Sequence, residues 1–364
     1  MKKILSLVLT SALTFGVLAG CANNDTPVET PAETPAVETP AVETPAVDTP
    51  AEAGGIAKMG LGIITSVASS KELAEGKALG QVDTTIAVVG LDADGKIASI
   101  TIDTAQQKVD FDGDMKVTSD ITAEGKTKFE LEDDYGMRNA SPIKREWFEQ
   151  ITDLENWMMG KTIDEVTGMK LEEAVPQEED LMSTVTMKVS GYIAAVEKAV
   201  KNAIDVEGAV KVGAGEVISL AKSKDMDGDK GAAAQVDTTI VATALDADGK
   251  VVATKIDVAQ TIVGFDVDGK ITNDVTVDAK SKKERGDDYG MKAISEIGKE
   301  WYEQAEALEA WMVGKTPDEI TGMKVFERDP AHKEVPDVED LKSSVTITVG
   351  DYLAAFKEAA EQAR

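Results

Sequence analysis

Two pairs of β-like runs, rich in Val, Ile, Thr and Ala, stand out along the chain. The first pair spans residues 82–91 and 96–103, and the second spans residues 236–245 and 250–257. In both pairs Asp-Ala-Asp-Gly separates the two runs. β-Branched residues favour strands, and an Asp-Gly turn between two such runs indicates a hairpin. The pattern therefore predicts two β-hairpins of nearly the same sequence.

Helical patterns follow each hairpin. Residues at helical spacing form one apolar face in the first half, namely Trp147, Ile151, Leu154 and Met158. Ser141-Pro142 fits an N-cap with proline at the first helical position, and Thr162 to Glu165 fits a capping box that opens a shorter helix. We therefore predict that this helix begins near Ser141 and that the four tryptophans of the chain belong to the core.

Further strands and a last helix complete each half. A third strand is predicted at residues 109–111, and β-like runs recur at 183–189 and 343–349. Helices are predicted at residues 192–202 and 352–362, directly after those runs. Because strands come first and helices gather after them, the order predicts an α+β fold with an antiparallel sheet.

The second half repeats the first. Gln81 to Ile86 recurs as Gln235 to Ile240, and Asp133 to Met137 recurs as Asp287 to Met291, both at an offset of 154 residues. A unit this long exceeds solenoid repeats, which have about 20–50 residues, and matches an ordinary domain. We therefore predict two tandem similar domains, at residues 56–206 and 207–364, each an antiparallel sheet packed with helices.

The first 55 residues differ in composition from the rest. Lys2, Lys3 and an apolar stretch that ends at Cys21 are typical of a signal peptide over residues 1–20. The small residues before Cys21 resemble a bacterial lipobox, which implies lipidation of this cysteine. Residues 21–55 are rich in Thr, Pro, Glu and Ala and carry no basic residue, a composition that predicts a disordered spacer. An ordinary signal peptide with a chance cysteine is the alternative.

Composition excludes several function classes. The formal net charge of −29 argues against nucleic-acid binding, which Lys and Arg contacts to phosphate carry. The chain has one cysteine and one histidine. The two halves therefore cannot both have a Ser-His-Asp or Cys-His triad, and a zinc site is not expected. His332 lies in an insertion of the second half, so we expect it to be a solvated loop residue. A function shared by both halves then requires either binding alone or a cofactor.

The end of each half resembles the FMN-binding domain family. There, an Asp-x-x-Ser/Thr-Gly-Ala-Thr motif precedes an alanine-rich helix. This chain has Asp180-Leu181-Met182-Ser183-Thr184-Val185-Thr186 and Asp340-Leu341-Lys342-Ser343-Ser344-Val345-Thr346. The Gly-Ala pair is replaced in both copies. The whole arrangement, with blocks such as Lys299 to Gln304, is similar to doubly flavinylated lipoproteins of extracellular electron transfer in Gram-positive bacteria, also known as pheromone lipoproteins.

The resemblance implies specific site residues. It implies covalent FMN, linked through a phosphodiester to Thr186 and Thr346 by a flavin transferase that uses FAD and Mg²⁺. Ser183 and Ser343 match the first Ser/Thr of the motif. For contact with the flavin ring we expect the two loops that combine an aromatic residue, glycine and methionine. These are Tyr135, Gly136 and Met137, and Tyr289, Gly290 and Met291; the neighbouring Asp134 and Asp288 are either flavin contacts or turn residues.

The predicted function is that of a lipid-anchored electron carrier at the extracellular face of the cell membrane, and not an enzyme in the narrow sense. A membrane quinone or NADH dehydrogenase would donate electrons, and ferric iron or surface reductases would accept them. A ligand-binding or adhesion lipoprotein without flavin is the alternative. Residues 13–20 also resemble hydrophobic peptide pheromones, so release of a pheromone from the signal peptide is a further possibility.

Overall fold

A computed structural model describes residues 55–364, which fall within one compact unit. The predicted signal peptide, Cys21 and all but the last residue of the predicted spacer lie outside the described residues. Between residues 55 and 364, no helix has both the length and the apolar character that a membrane span requires.

The first half of the described chain consists of strands β1 to β6 and helices α1 to α4. Their bounds are β1 (Ile56–Ser66), β2 (Lys71–Ala74), β3 (Lys77–Leu91), β4 (Ile97–Phe111), α1 (Lys128–Leu131), α2 (Trp147–Met158), α3 (Ile163–Thr167), β5 (Leu171–Glu172), β6 (Val175–Pro176) and α4 (Ser190–Lys201).

The second half repeats this order after a connecting strand. Its elements are β7 (Ile204–Ala209), β8 (Lys211–Ser219), β9 (Ala233–Leu245), β10 (Val251–Gly264), α5 (Lys282–Arg285), α6 (Trp301–Met312), α7 (Pro317–Thr321), β11 (Val325–Phe326), β12 (Val335–Pro336) and α8 (Gly350–Glu361).

The strands form two large antiparallel sheets and two small two-stranded ones, β5–β6 and β11–β12, so the predicted α+β class is confirmed. One sheet has the order β4-β3-β1-β7, with β2 paired to the start of β3, and the other has the order β10-β9-β8. Both predicted hairpins are present, and in each turn the first aspartate accepts backbone hydrogen bonds across the turn. The separate strand predicted at 109–111 is wrong, because these residues are the end of β4 and pair with the start of β3.

The last helix of each half lies directly on one strand of that half: α4 lies on β1, and α8 lies on β8. A Cβ atom at Gly62 would lie 2.1 Å from the Ala195 carbonyl oxygen, and one at Gly215 would lie 2.2 Å from that of Ala355. Only glycine permits so close an approach of two backbones. This packing fixes where α4 and α8 begin, and therefore where the preceding predicted attachment segments lie.

The two halves pack against each other through the outer faces of their sheets. One shared cluster contains Ile86 and Val88 of β3 with Ile240 and Ala242 of β9. In a second cluster the rings of Phe111 and Phe265 lie 5.2 Å apart. The boundary predicted between residues 206 and 207 falls within β7, a strand of the second half that pairs with β1 of the first.

Two local predictions are wrong. Helix α2 begins at Trp147 with Glu146 as its N-cap, because the Glu149 side chain accepts the backbone N–H of Glu146 at 2.7 Å. Ser141 lies upstream in a turn. Residues 183–189 and 343–349 form no strand; the carbonyls of Leu181 and Leu341 each accept hydrogen bonds from the N–H groups three and four residues later, which closes a tight turn in both halves. In both cases a local hydrogen bond overrides the preference of the sequence.

Candidate flavin-attachment site

Thr186 and Thr346 lie in irregular segments just before α4 and α8 and are partly exposed. The backbone N–H of Thr186 donates to Gln150 Oε1 at 2.9 Å, and that of Thr346 donates to Gln304 Oε1 at 2.9 Å. The hydroxyl oxygens lie 3.5 and 3.2 Å from the same amide oxygens. Each half therefore holds its threonine in the same way.

The two glutamines are buried within α2 and α6. Gln150 Nε2 donates to the Arg145 carbonyl at 3.3 Å, and Gln304 Nε2 donates to the Lys299 carbonyl at 3.4 Å. These bonds fix which end of each amide faces the threonine. Sequence reasoning missed both residues, although a polar residue recurs at the same position of the apolar helix face in both halves.

The loops that contain Tyr135 to Met137 and Tyr289 to Met291 are tied to the same two helices. Gly136 and Gly290 have left-handed backbones, with φ of 76° and 81°. The buried Glu146 carboxylate accepts from the N–H groups of Met137 and Arg138, both at 2.8 Å. Glu300 holds Met291 at 2.8 Å and Lys292 at 2.9 Å in the same manner.

One helix therefore positions both parts of the site in each half. The carboxylate of Glu300, just before α6, accepts the N–H of Met291. Gln304, one turn later, accepts the N–H of Thr346. In the second half Gln304 Nε2 also lies 3.6 Å from Met291 Sδ. The structure thus brings Met291 and Thr346 to opposite sides of a single buried amide.

Aromatic residues and a lysine surround each site. Tyr135 and Tyr289 are partly buried and donate to Gln106 and Gln260 at 3.3 and 3.2 Å. Lys282 Nζ lies 5.1 Å from the centre of the Tyr289 ring and 5.2 Å from that of Trp301. Burial lowers the pKa of Lys282 to about 8. Lys128 takes the corresponding place over Tyr135 in the first half, at 4.9 Å.

The tryptophans at the start of α2 and α6 are buried, as predicted for the core. Trp147 and Trp301 donate to the hydroxyls of Tyr192 and Tyr352 at 2.8 and 2.9 Å. These bonds join α2 to α4 and α6 to α8, so they fix the walls on either side of each threonine segment. Trp157 and Trp311 are only partly buried.

The remaining predicted contacts face solvent. Asp134, Asp288, Ser183 and Ser343 are all exposed. In the first half it is Asp133, the neighbour of Asp134, that forms an ion pair with Arg138, at 2.7 Å. These four residues therefore lie at the surface and take no part in the buried hydrogen bonds of the site.

A cavity of about 350 Å³ in the second half is lined by the two residues that follow Thr346, Ile347 and Thr348. Its walls include Asp237, Lys282, Met291, Trp301, His332, Ile347 and Tyr352. Cavities that bind small ligands or cofactors have volumes of about 300–1,000 Å³ and combine apolar walls with a few polar groups. Its size and lining therefore suit part of a cofactor with an aromatic ring.

The insertion of the second half reaches this site. Arg328 Nη1 donates to the Thr346 carbonyl at 3.1 Å, and His332 Nδ1 lies 2.8 Å from Asp329. In the first half the corresponding connection is the tight β5–β6 hairpin. His332 is thus partly exposed, as expected for a loop residue, and it also forms part of the cavity wall.

Comparisons with known proteins give little further information. No family model matches the chain, and no solved structure matches it. The chain is 51% identical over 41 residues to a chlorophenol reductase from Desulfitobacterium hafniense. That match covers 11% of this chain and 12% of the reductase, so it bears on neither fold nor activity.

Proposed function

We propose that the protein is a lipid-anchored extracellular electron carrier whose two tandem domains each bind one FMN covalently, at Thr186 and Thr346. The observation that carries the proposal is the recurrence of one arrangement in both halves. In each, the threonine that matches the attachment motif is partly exposed, a buried glutamine holds its backbone, and a Tyr-Gly-Met loop and a lysine lie at the same helix.

The described residues fit FMN in size and chemistry. The cavity lined by Ile347 and Thr348 has aromatic and thioether groups for a flavin ring, and Lys282 would attract the negative charge of the phosphate or of the reduced ring. The N-terminus of α8 follows Thr346 by a few residues, and helix N-termini favour anions. When bound, FMN supplies reversible uptake of one or two electrons; the protein supplies tethering, orientation and charge.

The proposed partners follow from this role. A flavin transferase would attach the cofactor, a membrane quinone or NADH dehydrogenase would supply electrons, and ferric iron or surface reductases would receive them. The formal net charge of −29 favours cationic acceptors and disfavours nucleic acid. A lipid on Cys21 would keep the carrier at the membrane surface.

Intact mass spectrometry of the protein from its native host tests the proposal. We expect two mass increments of FMN less water, one lost in Thr186→Ala and the other in Thr346→Ala. Thr184→Ala and Ser344→Ala are matched controls, because they remove the hydroxyl at the same position of each preceding turn and should keep both increments. An unmodified mass from a host that has the transferase contradicts the proposal and leaves the binding or adhesion lipoprotein as the alternative. A synthetic octapeptide of residues 13–20 tests pheromone activity separately.

A further inference from the structure

The buried amides of Gln150 and Gln304 are placed to control the attachment threonines. Each has its Nε2 fixed by a backbone carbonyl of the preceding turn, so its Oε1 has a defined direction. That oxygen receives the threonine N–H at 2.9 Å in both halves. The glutamines are buried whereas the threonines are partly exposed, so loss of the glutamine acceptor would leave the threonine N–H without its protein partner and open to water.

The distances separate two contacts of different strength. At 2.9 Å the bond from the threonine N–H has ideal length, whereas the hydroxyl contacts of 3.5 and 3.2 Å are long for an O–H donor. The glutamine therefore fixes the backbone of the threonine firmly and restrains its hydroxyl only weakly. The hydroxyl can turn away from the amide without loss of the main anchor.

We propose that Gln150 and Gln304 are positioning residues for flavin attachment, which hold the backbone so that the threonine hydroxyl stays available at the surface. The inference rests on the proposed function. In the transfer, a bond forms between threonine Oγ and the FMN phosphorus of FAD, the pyrophosphate P–O bond breaks, and AMP leaves. The hydroxyl proton passes to a base of the transferase, because a glutamine amide has no titratable group to accept it.

The two halves of the chain provide an internal control. Gln304→Met keeps the length of the side chain and removes the acceptor, and it leaves the site at Thr186 intact. We expect attachment at Thr346 to slow at least about tenfold, which corresponds to about 1.4 kcal/mol, while Thr186 in the same molecule is modified at its usual rate. Gln150→Met should reverse this pattern. The measurement is site-resolved mass gain over time with transferase, FAD and Mg²⁺.

Met312→Ala separates positioning from general destabilisation. It removes buried apolar contacts at the far end of the same helix, away from the cavity walls, and leaves Gln304 unchanged. We expect it to lower the melting temperature to an extent similar to Gln304→Met yet to leave modification of Thr346 unchanged. Equal slowing of attachment in both variants would overturn the inference.

A second measurement needs no flavin. Hydrogen exchange of the Thr346 amide in the unmodified protein should be at least about tenfold faster in Gln304→Met than in the parent, because its acceptor is gone. Unchanged exchange, or normal attachment at Thr346 in Gln304→Met, overturns the inference alone. Absence of attachment in the parent protein overturns the proposed function itself, whatever the exchange result.

Discussion

The two halves have matching candidate sites at Thr186 and Thr346 but unlike clefts at the surface where they meet. One cleft, of about 260 Å³, contains Lys198, Lys255 and Lys283 beside Asp257 and Glu284; we call it the balanced cleft. Its counterpart, of about 280 Å³, is lined by Asp103, Glu130, Glu155, Glu216 and Glu358, with Arg364; we call it the acidic cleft. The repeat thus preserves its site while the charges between its copies have diverged.

Three replacements account for most of the difference. Glu358 of α8 occupies the place of Lys198 in α4, Phe129 that of Lys283, and Glu216 of β8 that of Ile63. In the balanced cleft Lys198 pairs with Glu284 at 2.5 Å, and Lys283 pairs with Glu309. The acidic cleft has lost both of these lysines, so its carboxylates face one another.

Several carboxyl groups of the acidic cleft therefore have a pKa above that of ordinary carboxyl groups. Burial raises the pKa of Asp103 to about 6 and that of Glu155 to about 7. Burial also raises the pKa of Glu216, and the nearby charges of Asp103, Glu358 and Glu130 add to the effect. Glu216 Oε1 is buried without a hydrogen-bond partner within residues 55–364.

The largest expected effect tests the similarity of the two sites. Glu146→Ala and Glu300→Ala each remove a buried carboxylate, at the start of α2 or α6, that receives two loop N–H groups. We expect each to lower the free energy of unfolding by about 3 kcal/mol, and by nearly the same amount. Urea unfolding measures this. Glu149→Ala and Glu303→Ala, which remove the acceptor of the N-cap N–H and, in the first half, also the ion pair of Glu149 with Arg138, should cost about 1 kcal/mol; a large difference between Glu146→Ala and Glu300→Ala contradicts the comparison.

The next prediction concerns a substitution that makes the balanced cleft resemble the acidic cleft. Lys198→Glu places a carboxylate beside Glu284 and removes the donor to the Ile63 carbonyl. We expect a loss of about 2 kcal/mol near pH 7, because the remaining partly buried carboxylate loses its counter-charge. Lys201→Glu, at an exposed position of the same helix, should change stability by less than about 0.5 kcal/mol. Equal effects of the two substitutions would show that the cleft has no special role.

The third prediction concerns pH. Carboxylates with a raised folded-state pKa contribute stability below their unfolded pKa, near 4, and this contribution is lost as the pH rises through about 6 for Asp103 and about 7 for Glu155. Stability should therefore fall from about pH 4 to about pH 7. Glu216→Gln should add about 1 kcal/mol at pH 8 and much less at pH 5. Thermal unfolding across this range measures it; a constant effect of Glu216→Gln at all pH values argues against ionisation.

The sequence predicted the parts of the fold that depend on local pattern. The turns of the β3–β4 and β9–β10 hairpins and the final helices α4 and α8 match their predicted positions closely, because turn chemistry and apolar spacing specify them, whereas β3, β4 and β10 are longer than predicted. Residues 183–189 were wrongly predicted as a strand because their Val and Thr content favours strands, whereas the turn at Leu181 and the bond from Thr186 to Gln150 decide their conformation.

For the candidate site, the motif indicated the threonines and the Tyr-Gly-Met loops. The buried polar anchors were not predicted. Gln150 contacts Thr186, which is distant in the sequence, and Glu146 lies at a helix start that the sequence did not indicate. The two clefts could not be predicted either, since Glu216 and Asp103 meet only when the halves pack. Attachment of FMN itself remains a prediction that mass spectrometry must test.

The smallest expected effect concerns the connection that differs most between the halves. Ala174, in the β5–β6 turn, has a left-handed backbone with φ of 70°, and its carbonyl accepts from the N–H of Val189, just before α4. Because a side chain in this conformation costs about 1 kcal/mol, Ala174→Gly should stabilise the protein by up to that amount. Lys333→Gly in the longer loop of the second half is the control, since this residue has no such φ and should gain nothing. A gain in both variants would mean that the effect is unrelated to the left-handed turn. The β5–β6 hairpin would then carry no more backbone strain than the longer loop of the second half.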